Sequence, residues 1–243
     1  MKKILIALLL CCVVVPAAAF DITAYASQAN GQFEGLLDMF STGLNSGLAV
    51  ATINDGTLSL GFQFNLAVNP GDGVLASAGN KDNYIFPLFY ASLCIDDFII
   101  FGRGLLVDQK DVKFSYFGGG IGYIIAQQKT FFPQVRIIGA YHYMDAKQDG
   151  YFSLATLTGN IIGDYKLPIP LVNIHLLANL AYERNMLTTD WRNVISAPDK
   201  DFGVNRFRAS LGGEATVFAI VKVGYEYTIL PNPNHNFSAS VRF

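Results

Sequence analysis

Long hydrophobic runs are missing from nearly the whole of this chain. After about residue 20 no apolar stretch approaches the ~18 residues that a membrane-spanning helix needs. Yet 51% of the 243 residues are hydrophobic and the mean hydropathy is +0.33. Charge is also scarce, 15% of residues against roughly 25% in an ordinary soluble domain. Cysteine is nearly absent: Cys11 and Cys12 lie close to the start, so Cys94 stands alone in the rest and no internal disulfide is expected. A basic surplus is lacking. With Lys2 and Lys3 set aside, the 17 basic residues fall to 15 against 19 acidic ones, which argues against nucleic acid as a partner. No metal-ligand spacing, phosphate-cradling loop or G-x-S-x-G elbow occurs, so neither a cofactor nor a metal is expected.

What is present begins with Met1-Lys2-Lys3, an apolar run over 4–15 and Ala17-Ala18-Ala19. These features read as a secretory signal peptide cleaved after Ala19. Leu10 fills the position where a lipobox needs a small residue, so lipidation is not expected. The reading divides the chain into a signal peptide (1–19), an N-terminal helical hatch or cap (20–56) and a barrel (57–243).

Over 32–48, Phe33, Leu36, Leu37, Phe40, Leu44 and Leu48 recur at spacings of three and four. This predicts an amphipathic helix of about three turns, weakened by Gly35 and Gly43. It is either a cap on the periplasmic floor of the barrel or a hatch inside it, and 48–54 belongs to the hatch or forms a partial strand.

Period-two alternation then takes over. Leu58, Leu60, Phe62, Phe64, Leu66 and Val68 alternate with Ser59, Gly61, Gln63, Asn65 and Ala67, a dyad long enough to cross a bilayer as a tilted strand. Further strands are predicted at 84–95, 97–107, 112–126, 132–144, 151–164, 171–185, 204–216, 218–229 and 236–243, separated by turn residues. With 57–68 the count is ten, and twelve if 22–29 and 48–54 also pair. The fold class is all-β: an antiparallel, up-and-down transmembrane barrel, which spends its hydrophobicity on every second residue. Loops 69–83, 107–111, 145–150, 186–203 and 230–235 are expected outside. The links near 96, 127–131, 165–170 and 217 are expected on the periplasmic side.

Alternation also assigns faces. Arg206, Arg208, Ser210, Gly212 and Glu214 turn inward, as do Lys222, Glu226 and Thr228. A turn centred near 217 would set Arg208 opposite Glu226 and Glu214 diagonal to Lys222, with Arg242 in the same cluster. This is an ion-pair network filling the lumen or, less simply, a substrate site. On the other wall Asp97, Ile99, Phe101, Arg103 and Leu105 share an inward face. A hairpin centred near 109–110 would set Phe101 against Gly118 and Arg103 against Tyr116. Gly118, Gly120 and Gly122 leave room there, for the helix over 33–46 or for a hydrophobic ligand. The candidate ligand-contacting set is therefore Phe101, Arg103, Tyr116, Arg208, Glu214, Lys222 and Glu226. His142 and His175 turn inward, while Asp145, Asp190 and His235 fall in outer loops without the paired motifs of omptin proteases. No catalysis is expected.

The last nine residues, His235-Asn-Phe-Ser-Ala-Ser-Val-Arg-Phe243, place Phe237, Ala239, Val241 and Phe243 on one face and stop on the aromatic. This resembles the terminal targeting strand of bacterial outer-membrane β-barrels, which typically ends on Phe. The resemblance implies residence in the outer membrane, contact with its lipid, and engagement of the barrel-assembly machinery through Phe243. A hatch ahead of a barrel with apolar lumen positions, over 31–68 and 97–122, is also similar in arrangement to the long-chain fatty-acid transporters, which are larger. The expected function is binding or passing a small hydrophobic or amphipathic molecule. The alternatives are a structural or adhesive surface barrel and, third, an outer-leaflet enzyme.

Overall fold

Alternating residues become alternating faces once the strands pair. The computed structural model describes residues 34–53, 58–68, 83–109, 112–147, 151–169, 172–190, 200–217 and 220–243. The expected signal peptide, the 22–29 segment and much of the expected outer loops lie outside them.

Among the described residues ten strands follow two short helices: α1 (Glu34–Asn45), α2 (Leu48–Ala51), β1 (Leu58–Ala67), β2 (Tyr84–Ile95), β3 (Phe98–Gln109), β4 (Val112–Ala126), β5 (Gln134–Lys147), β6 (Tyr151–Lys166), β7 (Asn173–Asp190), β8 (Lys200–Val217), β9 (Val221–Leu230) and β10 (Asn234–Arg242). Each strand pairs antiparallel with its neighbours in sequence, and β1 pairs with β10 to close the barrel. The closing seam runs from Ser59 opposite Arg242 to Ala67 opposite Asn234. Beyond it the Phe243 amide donates to the Leu58 carbonyl at 2.9 Å. Closure leaves no strand edge unpaired, the condition for backbone to survive in hydrocarbon.

The outward face is greasy. Phe207 is 73% exposed, Ile121 69% and Leu180 65%. Among the described residues the outward positions of β1, β2, β9 and β10 carry no Asp, Glu, Lys or Arg. Among the described residues no helix is long and apolar enough to cross a membrane; the strands are the elements that could.

Several boundaries differ from the sequence expectation, for one reason. β5, β7 and β8 run beyond the point where apolar alternation stops, because polar residues extend a ladder as readily as apolar ones once the neighbouring strand is present. Asp145 therefore lies on β5 and Asp190 ends β7, rather than in loops. His235 lies on β10 with an outward ring, its Nδ1 2.8 Å from Tyr225 Oη. Residues 48–51 form α2, not a strand. The helix expected over 32–48 breaks at Gly47, whose φ of +77° costs a residue without Cβ almost nothing. Gly47 sits just past the end of α1, the usual place for such a residue.

Candidate functional site in the barrel lumen

The lumen is mixed, one half mainly apolar and the other polar, with Arg103, Arg136, His142 and Asp164 set among the strands of the apolar half. Its apolar half presents Phe86, Leu88, Ile99, Phe101, Ile138, Met144 and Leu154, all buried. Its polar half, carried by β8 to β10 and β1, presents Arg208, Glu214, Lys222, Glu226, Asn234, Asn236, Gln63 and Asn65, also buried. Residues 37–53 are buried almost throughout, with Asp38 partly so, and act as a plug. Leu37, Met39, Phe40 and Leu44 of α1 join a cluster with Phe86, Leu88, Tyr116, Met144, Phe152 and Leu154. Leu48, Val50 and Ile53 join another with Phe101, Ile138, Ile162 and Leu177. Each such side chain stabilises the seat by about 1.5–3 kcal/mol. The polar side of α1 answers the polar wall: Arg206 Nε donates to Asp38 Oδ1 at 2.7 Å, and Ser46 Oγ meets Thr228 Oγ1 at 2.9 Å. Of the two positions left open by the sequence, the helix takes the one inside the barrel.

Wall side chains also grip the plug by its backbone. Asn65 Nδ2 donates to the Gly43 carbonyl and Tyr116 Oη to that of Leu44, at 3.1 Å in the second case. Arg103 donates to Asn45 O at 3.4 Å and to Ser46 O at 2.7 Å, and Gln63 Nε2 to Gly47 O at 2.7 Å. Five successive carbonyls, at the end of α1 and in the turn after it, thus receive wall donors, that of Gly47 while also accepting from the Ala51 amide at 3.0 Å. Lower down, Arg136 Nη2 donates to Ala49 O at 2.7 Å. A relay supports the grip. Arg103 Nη2 lies 3.5 Å from His142 Nε2, and His142 Nδ1 lies 2.8 Å from Tyr116 Oη. Because Arg can only donate, Nε2 of a neutral His142 accepts; Nδ1–H then donates to Tyr116, whose hydroxyl hydrogen is left for Leu44.

The buried charges balance: Arg103, Arg136, Arg208 and Lys222 against Asp164, Glu183, Glu214 and Glu226. Arg208 Nε donates to Glu183 Oε1 at 2.6 Å, and its Nη1 stands 3.8 Å from Glu226 Oε1. Lys222 Nζ is 3.4 Å from Glu214 Oε1. Asp164 accepts from Arg136 at 2.9 Å and meets His175 Nδ1 at 2.7 Å. Arg103 has no carboxylate partner among the described residues; its counter-charge is the negative end of α1.

The structure brings the expected residues into one lumen but re-pairs them. Arg103 lies opposite Gly118, Phe101 opposite Gly120 and Tyr116 opposite Leu105, because β3 and β4 stay paired as far as Gln109 opposite Val112. Glu226 lies opposite Gly212, and Arg208 takes Glu183 as its closer partner, because β8 runs to Val217 and the turn falls later than expected. The Glu214–Lys222 diagonal holds. Arg242, half-buried opposite Ser59, sits at the strand end. Gly118 leaves no room for a helix: a Cβ there would strike the His142 ring and Tyr116 Oη. The plug residue that meets Phe101 belongs to the α2 cluster instead. Arg136, Asp164 and Glu183 were not singled out, although continuing the alternation along β5, β6 and β7 would have turned all three inward.

The space beside Leu44, Asn45, Tyr116, His142 and Thr156 is too narrow to admit a water molecule, far from the roughly 300 Å³ at which ligand pockets begin. The wall contacts the plug, not a cavity.

No family model matches the sequence, and no curated protein matches it. Among solved structures, the chain is similar to the translocator domain of the autotransporter NalP from Neisseria meningitidis at 10% identity, over 92% of this chain and 100% of that one, with a TM-score of 0.40. It is similar to Ail, the attachment invasion locus protein of Yersinia pestis, at 9% identity over 77% and 97%, with a TM-score of 0.31. The N-terminal β-barrel domain of Pseudomonas aeruginosa OprF follows at 11% identity over 78% and 100%, with a TM-score of 0.30. All three are barrels; the ten-strand closure seen here is read from this chain's own hydrogen bonds.

Proposed function

We propose that this chain is an integral outer-membrane barrel, sealed at rest by residues 34–53, which passes a small amphipathic molecule when that segment moves. The observation that carries the reading is the match between an amphipathic plug and a lumen that offers it both apolar side chains and buried polar and charged groups. Whatever replaces the plug must satisfy both halves, since apolar wall left wet and polar wall left dry are each costly. The greasy outer face supports membrane residence: in water so much contiguous apolar surface would drive aggregation. A structural barrel with a permanent plug is the second reading, favoured by the small residual space beside Leu44 and Tyr116. Neither reading assigns catalysis.

A reversible tether separates them. Ser46 and Thr228 touch across the plug and wall, so the Ser46→Cys/Thr228→Cys pair can lock α1 in place. In planar bilayers the reduced protein should show opening events and the oxidised protein should be silent. Equal traces in the two states, with the crosslink confirmed on a gel, would refute gating and leave the structural reading.

A further inference from the structure

The donors that hold the end of α1 are an odd set for the inside of a barrel. Arg103, Tyr116, Gln63 and Asn65 come from three strands, β3, β4 and β1, and all donate to one short stretch of the plug. Arg103 is 4% exposed, has no carboxylate within reach among the described residues, and its Nε finds no acceptor. Every other buried cation of the lumen has a carboxylate within 3.4 Å. A buried guanidinium without an anion is costly. Here about half a negative charge at the helix end, spread over carbonyl oxygens, takes the anion's place.

From this arrangement we infer that the Arg103–Tyr116–Gln63–Asn65 cluster is an oxyanion-binding site, held in the closed state by the C-terminal carbonyls of α1 as an internal stand-in. Carbonyl oxygens at the end of a helix and the oxygens of a phosphate or carboxylate ask for the same thing: several N–H and O–H donors converging on electron-rich oxygen. When the plug withdraws, the wall keeps its donors and Arg103 loses the electron-rich oxygens it touches. An oxyanion then competes with the helix for the same groups. The inference rests on the gated reading above, and it names what the moving segment gives way to: a free oxyanion, or the oxyanion head of an amphiphile whose tail lies along Phe101 and Leu105 on the same face of β3.

Competition of this kind is visible in the full-length protein by hydrogen–deuterium exchange of the segment 43–53. The probes are inorganic phosphate and n-octyl phosphate, each against sodium chloride at equal ionic strength, with n-octanol as the uncharged control. A ligand that binds only the plug-released form should raise plug exchange about fivefold when present at four times its dissociation constant. Arg103→Gln and Tyr116→Phe should each abolish that response, while their exchange in chloride equals or exceeds that of the parent. A response to inorganic phosphate identifies a free oxyanion as sufficient; a response to octyl phosphate alone assigns the site to an amphiphile head. Should Arg103→Gln fail to assemble, the near-isosteric Tyr116→Phe carries the comparison.

Three results overturn the inference: plug exchange indifferent to both phosphates, including no exchange under any condition; an equal effect from octanol; or an undiminished response in the variants. Salt-indifferent exchange in a barrel that still conducts would remove the oxyanion site and leave the gate. Phosphate-driven exchange in a barrel that never conducts would do the reverse.

Discussion

Glu183 rather than Glu226 should be the costly carboxylate to remove, although Glu226 is the one that strand alternation first pairs with Arg208. Glu183 accepts a hydrogen bond from Arg208 Nε at 2.6 Å, whereas Glu226 stands 3.8 Å from Nη1 and accepts its own hydrogen bond from Ser210 Oγ at 2.7 Å. At an effective dielectric of about 20, the gross attraction is about 6 kcal/mol at the shorter distance and about 4 at the longer. Desolvation offsets much of both. Glu183→Gln strands Arg208 with only a distant charge, and breaking a buried pair this way costs about 3–5 kcal/mol. Glu226→Gln leaves the Arg208–Glu183 bond intact and weakens one hydroxyl bond, for about 1–2 kcal/mol. In an Arg208→Met background the sign should turn: Glu183 is then an uncompensated buried charge, and Glu183→Gln should be neutral or stabilising. Urea titration in lipid vesicles, read by the heat-modifiable gel band, measures all four variants. A cost for Glu226→Gln equal to that for Glu183→Gln, or the same Glu183→Gln cost in both backgrounds, would refute the assignment.

Two further expectations test the membrane reading. Ile121→Arg, on a side chain 69% exposed on the outer face of β4, should destabilise by about 2–4 kcal/mol near the bilayer midplane, where a surface change in a water-soluble protein stays within about 0.5; a urea midpoint unmoved in vesicles would place this face in water. Deleting Phe243, which exchanges backbone hydrogen bonds with Leu58 where the barrel closes, should sharply lower the assembled fraction on gels, and undiminished assembly would remove its proposed role in insertion.

Faces were legible in the sequence while most directly opposed partners were not, and the physical reason is the strand period. A slip of one residue exchanges inside for outside, so hydrophobic alternation forbids it; a slip of two or four keeps every side chain on its face. Both misplaced hairpins slipped by an even number. The β8–β9 link lies in Val217-Phe218-Ala219-Ile220-Val221, where no glycine, proline or asparagine marks a turn. Arg208 and Glu226 therefore stayed inward while their pairing changed. The β3–β4 hairpin moved Arg103 from Tyr116 to Gly118 in the same way. The break in the plug had a signal: Asn45-Ser46-Gly47 ends a helical pattern on the residue best suited to a positive φ. The role of Arg103 had none, since its partner is a helix end brought there by tertiary packing.

That partner also decides how the plug can leave. Side-chain pairs such as Arg206–Asp38 let go one at a time, but the five carbonyls of residues 43–47 point at their donors only because α1 and the turn at Gly47 fix them together. Fraying the last helical turn would scatter the acceptors as a set, and Arg103, Tyr116, Gln63 and Asn65 would lose their bonds in one step. Leu37, Met39 and Phe40, further back on α1, keep their apolar contacts through such an event. The plug is thus packed in apolar clusters at α1 and at α2 and held by hydrogen bonds between them. Under the proposed gating those bonds must break before the plug moves, so exchange at residues 43–47 is the readout for both the proposed gate and the proposed oxyanion.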